Sequence, residues 1–415
     1  MPPLRDFLTG RWRAVPVLGI TQIITWGAIF YTPVLIVPVI ALERGWSIAF
    51  GMGGFSIGLL AAGLSAPFVG RSIDRYGGHV TMSIGSLIGA LGLVIIAQAD
   101  SRALYVLAWI VLGLAMGANL YDATFATLGR IFGIEARNPI TAVTLAGGLA
   151  STVSWPTTYL LMQSLGWRGT YLLYAVLFVL IVAPLHAFAL PRSQAGALPP
   201  ASAGGKAGDK TRAEATAGPR AEARAEARAE VLPARGLPFA LVAAAFAIYA
   251  FVPSGLSAHM LTIFERAGID AATVVVIGAL FGPAQVAARL IEFIFARDVH
   301  PLPIVRGALA ALFCGFLMLA VLGVSAPVAA LFALIFGGAN GLATIARGAV
   351  PLALFGANGY GRVIGRLAAP FLLMQAAAPL VMAFVIERAS DAAAMALAAL
   401  CGLVALACFL MVRRP

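Results

Sequence analysis

Apolar and polar positions alternate along this chain on the scale of whole helices rather than single residues. Long apolar runs are separated by short loops that hold most of the charges. A helix of about 20 residues crosses the roughly 30 Å hydrocarbon core of a bilayer and satisfies its own backbone hydrogen bonds. The pattern therefore predicts an all-α integral membrane protein with twelve transmembrane helices, roughly at residues 14–42, 50–70, 79–98, 103–130, 138–163, 168–190, 237–264, 272–296, 303–324, 327–350, 364–387 and 391–412.

One segment departs from this pattern. Residues 191–236 are rich in Ala, Gly and Pro, and they contain the only two lysines of the chain, Lys206 and Lys210. Within them, the sequence PRAEARAEARAE places like charges four residues apart, where they repel each other on a helix. We expect a flexible cytoplasmic linker here. It divides the chain into an N-terminal bundle, residues 1–190, and a C-terminal bundle, residues 237–415, with six predicted spans each.

The composition excludes a soluble protein, since 61% of the residues are hydrophobic, 11% are charged and the mean hydropathy is +0.95. The net charge of +11 does not indicate nucleic-acid binding, because the arginines concentrate in the loops on one side of the predicted spans. By the positive-inside rule that side is cytoplasmic, and it includes both termini. The few basic residues of the predicted outer loops are Arg44, Arg102, Arg168, Arg266 and Arg388.

Residue usage also limits the location and the chemistry. The preference for Arg over Lys, with abundant Ala and Gly, is typical of a GC-rich bacterial genome, so we expect an inner membrane. Cys314, Cys401 and Cys408 stand alone in apolar spans and form no metal-binding or redox motif. The sequence predicts a protein that is not an enzyme and needs no cofactor or metal, and we expect a monomer.

A specific motif follows the second predicted span, where residues 70–79 read GRSIDRYGGH. It resembles the loop signature of the major facilitator superfamily, G-x-x-x-D-R-x-G-R-K/R, in the position where that family has it. Gly78 and His79 depart from the signature, since they replace its basic pair. The resemblance implies two six-helix bundles around a central cavity. It also implies a gating role for Gly70, Arg71, Asp74, Arg75 and Gly77.

Three ionisable residues lie deep inside predicted spans, where an unpaired charge costs several kcal/mol. Asp122 lies eight residues, or about 12 Å along a helix, from the arginine at the edge of its span. Arg289 lies at the same depth in the eighth span, and Arg347 lies nine residues before Gly356. We expect all three to line a hydrated cavity. The alternative for Asp122 is a structural bond to a neighbouring helix.

The eighth span brings three polar side chains to one helix face. Gln285, Arg289 and Glu292 are spaced at i, i+4 and i+7. This spacing resembles the monocarboxylate-porter branch of the superfamily, although Gln285 stands where that branch has an acidic residue. The resemblance implies that Arg289 binds a carboxylate, with Glu292 or Asp122 as its charge partner. Alternatively, Arg289 and Glu292 form a degenerate second gate loop, because their i, i+3 spacing matches that of Arg71 and Asp74.

The fourth span of each bundle contains a related sequence. Gly117-Ala-Asn119 recurs as Gly338-Ala-Asn340, 221 residues later. A repeat at the same position in both bundles indicates a duplicated six-helix unit.

The first and seventh spans supply further candidate residues. Gln22 and Trp26 lie on one polar face of the first span, and Tyr31 follows them. This face either lines the cavity or bonds neighbouring helices. In the seventh span, His259 could titrate near neutral pH, but lone histidines in such spans are more often hydrogen-bonded packing residues.

Together these features predict a secondary active transporter that moves a small, monocarboxylate-like organic anion by alternating access with a coupled proton. The expected partners are this small molecule, H⁺ and the lipid bilayer, and not nucleic acid. A competing hypothesis is proton-driven efflux of a drug or toxic metabolite. The predicted substrate-binding residues are Arg289, Arg347, Asn119, Gln285, Asn340, Trp26, Gln22 and Tyr31, and the predicted proton-coupling residues are Asp122, Glu292 and His259.

Overall fold

The computed structural model describes residues 10–192, 232, 234–296 and 298–413. Within these ranges every regular element is helical, so the predicted all-α class is confirmed. Ten stretches are long and apolar enough to cross a membrane. One of them, Arg102–Ala189, is 88 residues long and is interrupted at Gly133 and Gly166, where φ is positive. It therefore holds three spans, which gives the twelve crossings predicted, counted over the described part of the chain.

The N-terminal half contributes helices α1 to α6. α1 is the continuous helical stretch Arg11–Arg44, α2 is Ile48–Tyr76 and α3 is Gly78–Ala97. α4 consists of Arg102–Asn119 and Tyr121–Phe132. α5 begins with Arg137–Gly148 and continues from Ala150 to the break at Gly166, after which α6 extends to Ala189.

The C-terminal half contributes helices α7 to α12, which are Gly236–Arg266, Ala271–Phe295, Pro301–Leu322, Ala326–Phe355, Tyr360–Arg388 and Asp391–Met411. The predicted linker lies outside the described residues except at its two ends. The gating motif was predicted as a loop, but most of it is helical, because α2 continues to Tyr76 and α3 starts at Gly78.

α6 contains two π-helical turns, Phe178–Val182 and Leu185–Ala189. Three other helices of the N-terminal half are also interrupted inside their spans. In α1, residues Trp26–Tyr31 form a π-helical turn. In α4, Leu120 is extended, with φ −81° and ψ −168°. In α5, the first helical segment ends at Gly148. Apolar periodicity predicts none of these breaks, because the sequence stays apolar through them. Each break frees backbone groups from the regular helical bonding pattern.

Two contacts fasten α7 to α11 inside the C-terminal half. Ser254 Oγ donates to the carbonyl oxygen of Gln375 over 2.7 Å, and His259 Nε2 lies 3.0 Å from the carbonyl oxygen of Pro379. The Gln375 carbonyl is available because Pro379, four residues later, has no N–H to donate to it. The structure therefore places His259, a predicted proton-coupling residue, in a helix contact within one half.

We expect Ser254→Ala to lower stability, because the Gln375 carbonyl then loses its donor. An unsatisfied buried acceptor costs about 1–3 kcal/mol, so the melting temperature of the purified protein in detergent should fall. Ser257→Ala, which removes an exposed hydroxyl one turn away, is the control and should melt like wild type. Pro379→Ala restores an N–H donor, so the cost of Ser254→Ala should shrink in that background. An unchanged cost there would contradict the explanation.

Candidate functional site

Arg289 lies on α8 between the two halves, and its side chain is only 2% exposed. Its Nη2 donates to Gln285 Oε1 over 2.9 Å, which joins two of the predicted binding residues. Its Nη1 donates to the carbonyl oxygen of Thr144 on α5 over 2.7 Å. A longer contact of 3.4 Å joins its Nε to the carbonyl oxygen of Gly341 on α10. All three acceptors are uncharged.

The guanidinium of Arg289 fits against α5 because two glycines leave room for it. A Cβ on Gly148 would lie 2.8 Å from Arg289 Nη1, and one on Gly147 would overlap the Tyr121 hydroxyl. That hydroxyl lies within hydrogen-bonding reach of Arg289. The Thr144 carbonyl belongs to the first segment of α5, near its C-terminal end, where the helix dipole favours a positive charge.

Glu292, one turn further along α8, does not pair with Arg289. Its Oε1 accepts from Arg137 Nη2 at 2.6 Å, and its side chain is 3% exposed. Thr141 Oγ1 lies 3.4 Å from its other oxygen. Among the described residues, no ion pair includes Arg289. It is therefore a buried cation without a carboxylate partner, an arrangement that costs several kcal/mol unless a ligand compensates it.

Asp122 and Arg347 form a second ion pair between the halves. Arg347 Nη2 lies 2.6 Å from Asp122 Oδ1, and the two side chains are 13% and 12% exposed. Asp122 lies in the first turn of the segment Tyr121–Phe132, after the break at Leu120. A carboxylate is stabilised there by the helix N-terminus. The guanidinium of Arg347 also lies 4.0 Å from the centre of the Phe371 ring.

Aromatic side chains from α1 and α4 form a wall beside Arg289. The Trp26 ring lies 4.8 Å from that of Tyr121 and 6.0 Å from that of Tyr31, measured between centroids. Tyr31 lies within the electrostatic range of Arg289. The π-helical turn of α1 begins at Trp26 and ends at Tyr31, and a wider turn brings residues five apart onto one face. We call Trp26, Tyr31 and Tyr121 the aromatic wall.

Asn340 and Tyr249 complete the C-terminal side of this region. The Tyr249 hydroxyl donates to Asn340 Oδ1 over 3.0 Å, which links α7 to α10. Asn340 is half-buried, and Tyr249 lies within the electrostatic range of Arg289. The structure thus brings Arg289, Gln285, Trp26, Tyr31 and Asn340 to one region between the halves.

Of the other three predicted binding residues, Arg347 pairs with Asp122, and the remaining two lie inside the N-terminal half. Gln22 and Asn119 are both fully buried. Gln22 Nε2 donates to the Asn119 carbonyl oxygen over 2.6 Å and its Oε1 accepts from Trp26 Nε1 over 2.9 Å. Asn119 Oδ1 accepts from Ser86, which also contacts His186. This network connects α1, α3, α4 and α6, and it anchors Trp26 of the aromatic wall.

The gate motif joins the two halves of the protein. Asp74 accepts two backbone hydrogen bonds from the start of α11, from Gly361 N and Arg362 N, each 2.8 Å long. A Cβ on Gly70 would overlap the Gly361 carbonyl oxygen, so only glycine lets α2 and α11 come this close. The Arg137–Glu292 pair fastens α5 to α8 across the same interface.

The remaining motif residues have local roles. Arg71 and Arg75 are exposed, with their guanidinium carbons 4.6 and 5.1 Å from the ring centres of Phe68 and Tyr76 on their own helix. Gly77 ends α2 with φ +91°, a conformation that favours glycine. Arg130, which sequence reasoning placed only at the edge of α4, donates to the backbone carbonyls of Ile73 and Asp74 and so completes the end of α2.

The family model described as Major Facilitator Superfamily matches residues 17–365. The chain belongs to the major facilitator superfamily. This confirms the predicted resemblance and the two-bundle, twelve-helix fold. Members of this superfamily are transporters, and the chain is accordingly a multi-pass membrane transporter rather than an enzyme.

The similar proteins include monocarboxylate transporter 6 of Mus musculus, 26% identical over 177 residues, and of Homo sapiens, 27% identical over 118 residues. These matches cover 40% and 28% of this chain and 36% and 23% of the relatives, so the chain matches only about a third or less of either relative.

Two solved structures share the fold along nearly the whole chain. The human organic anion transporter MFSD10 (TETRAN) has a TM-score of 0.70 and 20% identity, and covers 99% of this chain and 100% of its own. The proton:xylose symporter XylE has a TM-score of 0.70 and 12% identity, with coverages of 98% and 97%.

Sequence reasoning missed several residues that shape the region around Arg289. Thr144 contributes only a backbone carbonyl, and no side-chain pattern can indicate that. Arg137 lies just outside the predicted fifth span, residues 138–163, and its partner Glu292 lies 155 positions away in the sequence. Tyr121 is adjacent to Asp122, and this adjacency is the one signal that could have identified it.

We expect Asp74→Asn to loosen the gate, because the neutral amide has one acceptor oxygen for the two N–H groups of α11. Hydrogen bonds to a charged group contribute about 1.5–3 kcal/mol each, so amide exchange at residues 360–366 should accelerate by at least about tenfold. Hydrogen–deuterium exchange with mass spectrometry measures this. Arg71→Gln, at an exposed motif position, is the control. Equal exchange in Asp74→Asn and wild type would exclude the gating role.

Proposed function

We propose that this transporter carries a small monocarboxylate by alternating access, coupled to a proton. Arg289 binds the carboxylate of the substrate, and Asp122 takes up the proton. The buried, unpaired guanidinium of Arg289 carries this proposal. A planar guanidinium suits a carboxylate, because two parallel N–H groups can bond its two oxygens.

The surroundings of Arg289 favour an organic anion over an inorganic one. The aromatic wall offers apolar ring faces within reach of the guanidinium, and Gln285 and Asn340 add uncharged polar groups. Sites with a few polar groups in an apolar lining hold small organic molecules. Two of the similar proteins are a monocarboxylate transporter and an organic anion transporter, which agrees with this class of substrate.

Proton coupling is proposed from the second ion pair. When Asp122 is ionised, its carboxylate neutralises the charge of Arg347. When Asp122 is protonated, Arg347 would be free to attract an anion. Both side chains retain some exposure, so water and protons can reach them.

The position of Arg289 argues against the efflux of cationic drugs. A cation entering the space beside an unpaired guanidinium would be repelled, and the low dielectric of the interface increases that repulsion. The two described carboxylates of this region, Asp122 and Glu292, are already held by Arg347 and Arg137.

We expect Arg289→Gln to weaken the binding of benzoate, a carboxylate whose ring suits the aromatic wall, by at least about tenfold. This follows from the loss of a charge-assisted bond of about 1.5–3 kcal/mol. Isothermal titration of the purified protein measures the affinity. Arg388→Gln, at an exposed arginine on the last turn of α11, should bind like wild type. Arg289→Lys should bind with intermediate affinity, since it keeps the charge and loses the planar fork. Wild-type affinity in Arg289→Gln would refute the anion site.

We expect Asp122→Asn to abolish proton-driven accumulation and to retain exchange. In proteoliposomes, a pH gradient should accelerate carboxylate uptake by wild type and leave uptake by the variant unchanged. Exchange of internal for external carboxylate should continue in the variant, because Arg289 is intact. Asp391→Asn, which alters an ion pair with Arg266 on the surface, is the control. Accumulation driven by the pH gradient in Asp122→Asn would exclude Asp122 as the coupling residue.

A further inference from the structure

A groove outside the substrate site runs between the N-terminal end of α1 and the C-terminal end of α6. One part of it is lined by Arg11, Arg13 and Arg192. The other part continues along apolar residues of both helices, including Val17, Leu180 and Ile181. Arg13 and Phe188 line both parts, so the basic part and the apolar part form one continuous surface.

At the basic end of the groove, the described residues leave part of the positive charge without a neutralising carboxylate. Arg11 pairs with Glu135 at 2.5 Å. Among the described residues, Arg13 Nε is buried without a hydrogen-bond partner. Arg192 is exposed at the opposite wall. This end therefore presents a buried donor without an acceptor beside two further guanidinium groups, which is the chemistry that binds a phosphate group.

The apolar part of the groove is open to the bilayer. Phe188, Leu180 and Ile181 are 76%, 67% and 38% exposed. α6 is irregular here, because two π-helical turns, Phe178–Val182 and Leu185–Ala189, flank Pro184. The result is an uneven apolar surface that extends from the arginines into the depth of the membrane.

We infer that this groove is a binding site for one anionic phospholipid. The phosphate of the headgroup bonds Arg13 and Arg192, and an acyl chain lies along the apolar residues of α1 and α6. A soluble phosphate compound would use the arginines and leave the apolar part uncovered. A zwitterionic lipid would bring its own positive charge to a region that already has an excess. An anionic phospholipid complements both parts.

The experiment compares lipids on the full-length protein after delipidation in detergent. Native mass spectrometry with equal amounts of dioleoyl phosphatidylglycerol and dioleoyl phosphatidylcholine should show one retained phosphatidylglycerol. Arg13→Gln/Arg192→Gln should weaken this binding by about thirtyfold, since each basic residue near an anionic lipid contributes about a factor of five. Arg13→Lys/Arg192→Lys should retain most of it. Arg266→Gln/Arg388→Gln, which lies away from the groove, should bind like wild type.

Two further arms separate the alternatives. Glycerol 3-phosphate should fail to displace the lipid at the same concentration, and complete displacement would show a soluble-phosphate site instead. Equal retention of the two lipids, or unchanged binding in Arg13→Gln/Arg192→Gln, would overturn the inference. Melting curves of each variant confirm that it is folded. If the double glutamine variant does not fold, the double lysine variant with Leu180→Asn, which removes the apolar contact and keeps the charge, replaces it and should lose binding.

Discussion

A buried positive charge between two halves is the constraint on which the rest of this structure depends. Arg289 is almost fully excluded from solvent, and among the described residues it bonds only uncharged acceptors. Holding a guanidinium there costs several kcal/mol unless its charge is offset. Its carbonyl and amide acceptors offset part of the cost, and the remainder favours an anion. One of these acceptors, the Thr144 carbonyl, belongs to α5 of the opposite half. Separating the halves on this side would therefore leave the buried charge with fewer acceptors.

In the N-terminal half, two helix interruptions create helix ends beside the charged side chains of the site. The break at Leu120 starts a new helix at Tyr121, and Asp122 lies in its first turn, near unpaired N–H groups. The first segment of α5 ends at Gly148, and Arg289 approaches carbonyl groups near that end. In both cases the sign of the side-chain charge opposes that of the helix end. Such discontinuous helices are a recurring way to hold charges inside a membrane.

The sequence predicts the twelve-helix scaffold well. For the site, it predicts where the charged residues lie better than it predicts which residues they bond. Hydrophobic runs locate twelve spans, and the depth of Asp122, Arg289 and Arg347 identifies them as residues that must be compensated. Periodicity assigns Gln22 and Asn119 to polar faces, but it cannot tell a face that meets another helix from one that meets a cavity. Their bonds to each other and to Ser86 depend on how α1, α3 and α4 pack. Glu292 was expected as one possible charge partner of Arg289, but it pairs with Arg137 of the other half over 2.6 Å.

Charge balance connects the two ion-binding groups of the proposed mechanism. Ionised Asp122 cancels Arg347, so Arg289 leaves the region with one uncompensated positive charge. In the proposed mechanism, one carboxylate would restore neutrality while Asp122 is ionised. A proton on Asp122 adds a positive charge and frees Arg347, so it strengthens anion binding. Thermodynamic reciprocity then requires that the anion strengthen proton binding by the same factor. In the proposed mechanism, the proton and the carboxylate would therefore load together without any direct contact between them.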